Sequence, residues 1–351
     1  MAPALQYELS EPPTDAVSSI AFASNSPTRL LVASWDKNLY LYDTSDQEAC
    51  GRLIKKFEHR APVLDVCFGA SDNEAFTAGV DFQVKKINLD NGEQIVLGSH
   101  SAPVKSVVFS KEKSLLFSAS WDSTLHIYDI NNISTGTTKI ILPAKPHSLS
   151  ITASKLVVAM ASRLVHIYEL ESIKSNIGEA NGDTTGIKPW QQRESSLKFM
   201  TRCVACMPND EGYVTSSIEG RIAVEWFDSS TESQARKYAY KCHRQPDPEE
   251  EGGDIVYPVN TVSFHPIYGT FASGGGDGIV ALWDAEAKRR IRQYQKYPAS
   301  IAALSFSCDG NYLAVAVCPG FEDGQEDYSG VGATHVFIRE LGKNEAKGKR
   351  N

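Results

Sequence analysis

Apolar and polar positions alternate with a period of two in short runs that return along the whole chain. Val17-Ser-Ser-Ile20-Ala-Phe22, Val63-Leu-Asp-Val66-Cys-Phe68, Val104-Lys-Ser-Val107-Val-Phe109 and Val259-Asn-Thr-Val262-Ser-Phe264 share one frame. Thr201-Arg-Cys-Val204-Ala-Cys206 and Ile301-Ala-Ala-Leu304-Ser-Phe306 keep it with substitutes. Such alternation predicts half-buried strands. A second apolar run follows each, as in Leu30-Leu-Val-Ala-Ser34 or Leu115-Leu-Phe-Ser-Ala-Ser120, and ends at a turn acid. A third run then leads to a closing acid. Trp35-Asp36-x-x-Leu39-x-Leu41-Tyr42-Asp43 recurs as Trp121-Asp122-x-x-Leu125-x-Ile127-Tyr128-Asp129. Asp277 to Asp284 repeats the frame with Trp283 before the second acid, and Asp81 to Asn88 repeats it with an amide. Self-similarity at roughly 40–45 residues predicts four-stranded propeller blades.

Seven such units can be traced, near Asp36, Asp81, Asp122, Ser162, Glu219 and Asp277, with a degenerate seventh around Ile301–Ile338. The predicted fold is therefore all-β, a seven-bladed WD-repeat β-propeller over residues 1–341. The seventh unit has too little sequence after Arg339 for a full fourth strand, and an open ring would leave bare strand edges. Leu5-Gln-Tyr-Glu-Leu9 alternates and is predicted to supply that outer strand. Polar stretches at about 171–192, 245–255 and 320–331 read as surface loops. Residues 342–351 read as a disordered basic tail, a solvated end in preference to a localisation signal.

Composition narrows the class. The chain of 351 residues is 42% hydrophobic and carries a formal charge of −8, which argues against general nucleic-acid binding. No stretch approaches the length of apolar sequence that a membrane helix needs. Seven cysteines, scattered singly, read as reduced thiols of a nuclear or cytosolic protein. Cys203-x-x-Cys206 has metal-ligand spacing, but it lies in a strand pattern and no second pair accompanies it. No metal and no cofactor is implied.

His100, Ser120 and Asp122 are the residue types of a nucleophilic triad. Yet His59 and Asp81 recur at the separation of His100 and Asp122, which suits a repeating scaffold and not a single active centre. The expectation is a structural network of His59, Asp81, His100, Ser120 and Asp122, in which the histidine leading into a blade bonds the turn acid. No nucleophile elbow or oxyanion glycine frame is present. Gly274-Gly-Gly-Asp-Gly278 and Gly330-x-Gly332 read as turns, since neither opens a helix after a strand. A hydrolase using Ser120 is the enzyme alternative; a protein without enzyme activity is the expectation.

If the histidine reaches the turn acid, both loops lie at one end of the propeller, here called the top. Trp35 and Trp121 then sit on that surface, where aromatic anchors serve partner binding. Arg202, Arg221, Lys241, Lys198 and Arg193 map to the same end, suiting a peptide that bears carboxylates or phosphate.

The runs Gln192-Arg-Glu-Ser-Ser-Leu-Lys-Phe-Met-Thr-Arg-Cys203, Ser216-Ser-Ile-Glu-Gly-Arg-Ile-Ala-Val-Glu225, Tyr240-Lys-Cys-His-Arg244 and Tyr257-Pro-Val-Asn260 resemble the Bub-type mitotic-checkpoint WD-repeat family. This is the third member of the budding-uninhibited-by-benzimidazole group, and the resemblance runs from Ala16 to Arg339. A sister family, the nuclear-pore messenger-RNA-export propeller, shares the middle motifs; Glu194-Ser-Ser-Leu-Lys198 and the short N-terminus favour the checkpoint group. The resemblance implies a non-enzymatic adaptor of the spindle assembly checkpoint in the nucleus, at kinetochores in mitosis, with a cytosolic pool. Its implied partners are GLEBS-type motifs of checkpoint kinases and a pseudokinase, and phosphorylated Met-Glu-Leu-Thr repeats of the kinetochore scaffold. By position, Arg221 and Lys241 would hold the phosphothreonine. Trp35 and Trp121 would pack on bound segments, and Arg202 with Lys198 would meet their acids. The alternative is an export adaptor binding a nucleoporin GLEBS-type motif.

Overall fold

The computed structural model describes residues 6–177, 186–320 and 333–348. Seven four-stranded antiparallel sheets form a ring in which each inner strand packs on the inner strand of the next blade, and the seventh on the first. Blade one is Val17–Phe22, Arg29–Ser34, Asn38–Asp43 and Arg52–Glu58. Blades two to six begin at Val63, Val104, Pro146, Thr201 and Val259. Blade seven takes Ile301–Phe306, Tyr312–Val317 and His335–Glu340, and Gln6–Glu8 adds its outer strand in the register Gln6↔Arg339, Tyr7↔Ile338, Glu8↔Phe337. The predicted closure by the N-terminal strand therefore holds, with Leu5 outside the described residues.

The middle strands are buried on both faces and sandwich between blades. Leu30, Val32, Tyr40 and Tyr42 of blade one pack with Ala314, Ala316, Val336 and Ile338 of blade seven. Burying a side chain of this size stabilises by about 1.5–3 kcal/mol, so the ring closes on apolar contact as well as on the strand ladder.

Every inner strand carries a bulge at the same place. The register slips between Val17 and Ser19, Val63 and Asp65, Val104 and Ser106, Pro146 and Ser148, Thr201 and Cys203, Val259 and Thr261, and Ile301 and Ala303. The skipped residues are Ser18, Leu64, Lys105, His147, Arg202, Asn260 and Ala302. A bulge re-aims the side chain it releases, and this one recurs beside the central channel at the top.

Three expectations about polar segments change. The start of the 171–192 stretch is helical: Leu170–Ile177 buries Leu170 and Ile173, spaced i, i+3, in the core between blades three and four. Residues 178–185 lie outside the described residues. The 245–255 stretch forms a hairpin in which Arg244–Pro246 pairs with Asp254–Val256. Within 320–331, all but Gly320 lie outside the described residues. The tail is not a free solvated end through Gly348. Ala346 is 2% exposed and its carbonyl accepts Thr270 Oγ1 at 2.7 Å, while Glu345 lies 3.2 Å from both Arg292 and Arg339. One apolar contact and a doubly paired carboxylate outweigh the polar composition there; residues 349–351 lie outside the described residues.

A candidate partner-binding face

Blade six shows the network in full. His243 Nδ1 meets Asp277 Oδ1 at 2.9 Å and Nε2 meets Ser273 Oγ at 2.8 Å, where Trp283 Nε1 also donates at 2.8 Å. All four residues are buried. The glycines here are required: a Cβ on Gly275 would fall 2.3 Å from the His243 ring, and Gly278 turns with φ +74°. In blade three, His100 Nδ1 lies 3.3 Å from Asp122 and 2.9 Å from Thr124 Oγ1, and Nε2 meets Ser118 Oγ at 2.8 Å. Ser118, not Ser120, is thus the serine of the tie. Ser120 Oγ donates to the carbonyls of Ala102 and Pro103, both at 3.0 Å, and accepts the Asp122 amide at 3.1 Å. His100, Ser120 and Asp122 form no nucleophile–base–acid chain.

Blade two departs from expectation. His59 bonds Thr77 Oγ1 and the Phe57 carbonyl, each at 3.0 Å, and not Asp81. Asp81 accepts Lys85 Nζ at 2.8 Å instead. A charged donor four residues along the strand displaces a neutral imidazole because charge-assisted bonds are the stronger. In blade one Thr14 replaces the histidine, giving its amide and hydroxyl to Asp36, which also accepts Tyr40 Oη at 2.6 Å.

Burial, reinforced by the Lys85 charge, pushes the His59 imidazole down to about 4. Burial and the His100 ring, stacked 3.6 Å away, do the same to His126. Both are neutral when folded but take a proton near 6.5 when unfolded. Their contribution is therefore complete above about pH 6.5, is lost as the pH falls toward 4, and changes no further below that. Each is expected to cost up to about 3 kcal/mol on that descent. Urea midpoints between pH 7.5 and 4 check this; His59→Asn should flatten the slope, and an equal slope in the variant would refute the assignment.

A backbone bond common to all seven blades brings each leading loop and turn together at the top. The amide before every turn acid, or its equivalent, donates to the carbonyl before the inner strand: Trp35 to Ala16, Val80 to Pro62, Trp121 to Pro103, and so on to Cys318 and Ser300. Trp35, 42% exposed, and the half-buried Trp121 thus hold equivalent places on blades one and three. They line one cavity of about 340 Å³ at the channel mouth together with Arg202 and Lys105. Six of the seven bulged residues line it; His147 is the exception. Arg202 Nη2 donates to Asn260 Oδ1 at 2.9 Å. Burial lowers the Lys105 ammonium, Asp65 opposing this and Arg202 adding to it. His147 is lowered by burial, then by the charges of Lys105 and Arg202, and its Nε2 has no hydrogen-bond partner among the described residues. Three basic side chains on blades three to five, Lys105 and His147 half-buried and Arg202 exposed, therefore lie close enough to feel one another's charge, an arrangement suited to an entering anion.

Lys105 and His147 were missed in the sequence, although they follow the first residue of their inner strands as Arg202 does; overlaying the repeats finds them. Lys198 does not join this cavity. It is exposed on the loop leading into blade five, beside exposed Phe199 and Met200. Arg193 is withdrawn altogether, its Nη groups held by the carbonyls of Trp226 and Phe227 at 2.7 and 2.8 Å. Arg221 and Lys241 are direct cross-strand partners at the upper end of blade five. Lys241 is exposed, and Arg221 is half-buried with Nε 3.5 Å from Glu219 Oε2. Cys203 and Cys206 lie in the inner strand of that blade, where burial pushes the Cys206 thiol up to about 12.

The family model "WD domain, G-beta repeat" matches residues 4–43, 92–129 and 255–284. The chain is 43% identical to "Mitotic checkpoint protein BUB3.1" of Arabidopsis thaliana, the match covering 99% of this chain and 96% of that protein. It is 38% identical to "Mitotic checkpoint protein bub3" of Dictyostelium discoideum over 95% and 94%. Identity to "mRNA export factor GLE2" of Chaetomium thermophilum is 28% over 97% and 91%.

Proposed function

The chain belongs to the Bub3 family of WD-repeat mitotic checkpoint proteins, and from that premise we propose that it is a non-enzymatic adaptor with two docking sites on its top face. The channel mouth takes a GLEBS-type segment of a checkpoint kinase or its pseudokinase relative. Trp35 and Trp121 supply apolar contact there, and Arg202 with Lys105 receives the segment's acids. The rim of blade five takes phosphorylated Met-Glu-Leu-Thr repeats of the kinetochore scaffold, which would place the protein at kinetochores in mitosis.

The observation that carries this reading is the direct pairing of Arg221 with Lys241 across adjacent strands. Two cations held side by side can share the oxygens of one phosphate, Arg221 as a planar fork and Lys241 as a point charge. The export reading is the weaker one, the checkpoint relative standing at 43% identity against 28%.

Calorimetric titration with a phosphorylated Met-Glu-Leu-Thr peptide and its unphosphorylated form tests the reading. The phosphopeptide is expected to bind much more tightly, and Arg221→Ala to cost it about 1.5–3 kcal/mol while leaving the unphosphorylated form unchanged. Equal affinity for both forms would overturn the proposal.

A further inference from the structure

The outer strand of blade six, Arg289–Gln293, departs in charge from the rest of the molecule. Lys288, Arg289, Arg290, Arg292 and Lys296 put five cations into nine positions, with no acid from Ala287 to Ser300, on a chain whose formal charge is −8. All five are exposed. Charged residues guard strand edges against stray pairing, but a few of either sign serve that end. The outer strands of blades one, four and seven carry acids (Glu58, Glu194 and Glu8), those of blades three and five one lysine each (Lys139 and Lys241), and that of blade two no charge. Like charges set side by side repel, so a row of one sign exceeds what a guard requires.

The nearby acids leave most of the row unneutralised. Glu286 is paired with Arg236 at 3.1 Å, Glu345 lies 3.2 Å from Arg292 and Arg339, and the buried Asp284 accepts the Ala287 amide at 2.9 Å. Lys288, Arg289, Arg290 and Lys296 have no carboxylate within ion-pair distance among the described residues. A register slip between Leu282 and Trp283 leaves Ile291 unpaired, which sets Arg290 and Arg292 on opposite faces of the sheet. Arg290 borders a pocket with Cys242 and Trp283 on the blade-five side, where Lys288 Nζ lies 5.0 Å from the Tyr238 ring. Arg292 lines a groove of about 520 Å³ on the blade-seven side, together with Lys296 and Arg339 and with no acid in its lining. Among the described residues no further strand pairs with this edge.

We propose that the blade-six edge docks an acidic, extended segment of a protein partner, which adds to the sheet as a fifth strand. An extended chain sends its side chains alternately to the two faces, and cations stand on both, so consecutive acids are what this edge selects. Backbone pairing sets the register, and the arginines and lysines receive the carboxylates. A nucleic acid suits the edge less well. Tyr294 and Tyr297 beside the groove are buried and offer no platform for bases, and a long polyanion would run off the patch onto a protein of its own sign. The docking edge is independent of the top-face reading.

Fluorescence anisotropy on the full chain provides the test. The probes are a labelled synthetic peptide with a run of glutamates flanked by valines, its glutamine counterpart, the glutamate peptide methylated on its backbone nitrogens, and single-stranded polyuridine. The glutamate peptide is expected to bind at least about tenfold tighter than each of the others. The double variant Arg289→Glu, Arg290→Glu should weaken it by about tenfold or more and Arg289→Gln, Arg290→Gln by less, both melting as the native protein does because these side chains are exposed. Absence of binding by the glutamate peptide, or native affinity in the charge-reversed variant, overturns the proposal. Equal affinity for the methylated peptide shows that the edge does not pair a strand, and polyuridine binding as tightly shows a nucleic-acid surface; either result also overturns it.

Discussion

Asp277→Ala is expected to lower the unfolding free energy by about 3–5 kcal/mol, since it removes one partner of a buried, hydrogen-bonded network. Asp277 is 4% exposed and accepts from both the His243 ring at 2.9 Å and the Ile279 amide at 3.1 Å. Truncation leaves those groups without an acceptor in a site too buried for free hydration. The damage then spreads, because His243 fixes Ser273 Oγ, on which Trp283 Nε1 depends. A urea unfolding series provides the measurement. Ser120→Ala is the comparison, expected to cost about 1 kcal/mol, because it loses only neutral bonds to backbone. The pair His243→Ala and Asp277→Ala should show a coupling of about 1–3 kcal/mol. A loss below about 1 kcal/mol for Asp277→Ala would show that the blade does not depend on the tie.

The blades were legible because two periodicities coincide. Alternation marks the strands, and the turn acid with its partner keeps a fixed offset. His100 and Asp122 are 22 residues apart, as are Thr14 and Asp36. In blade six the offset is 34, because the hairpin at 245–255 is spliced between histidine and acid. The placement of Trp35, Trp121 and Arg202 at one end was legible for the same reason, since position within a repeat reports position in space. What escaped was set by competition between neighbours, which spacing does not show. Lys85 takes Asp81 from His59. Ser118 faces the His100 ring because the pairing Ser118↔His126 puts it mid-strand, while Ser120 lies at the strand end among backbone carbonyls. Arg193 looked like a surface cation, but two carbonyls of blade five were within its reach. The ring of bulged residues was invisible for a different reason: an alternating pattern gives no sign that the register slips by one.

Trp35→Ala and Trp121→Ala are each expected to weaken binding of a GLEBS-type helical segment by about 2–4 kcal/mol, the range of aromatic anchors at the centre of an interface. The two rings hold equivalent turn positions yet share one cavity, so a segment lying across the mouth meets both. At the same position the other five blades carry Val80, Ala161, Ile218, Gly276 and Cys318, which offer less apolar area. The two variants should differ in stability. Trp35 is 42% exposed and its loss should move the melting temperature little, whereas the half-buried Trp121 should carry a measurable cost. Binding to the phosphorylated Met-Glu-Leu-Thr peptide should remain within about twofold in both, because distant sites act additively. Calorimetry with the two ligands on each variant separates the cases. If Trp35→Ala changes affinity for the helical segment by less than about threefold, the ring merely covers its own blade, since a buried anchor of that area must contribute more. If both ligands weaken together, the channel mouth and the blade-five rim form one site, and Arg202 and Arg221 would then act on a single partner.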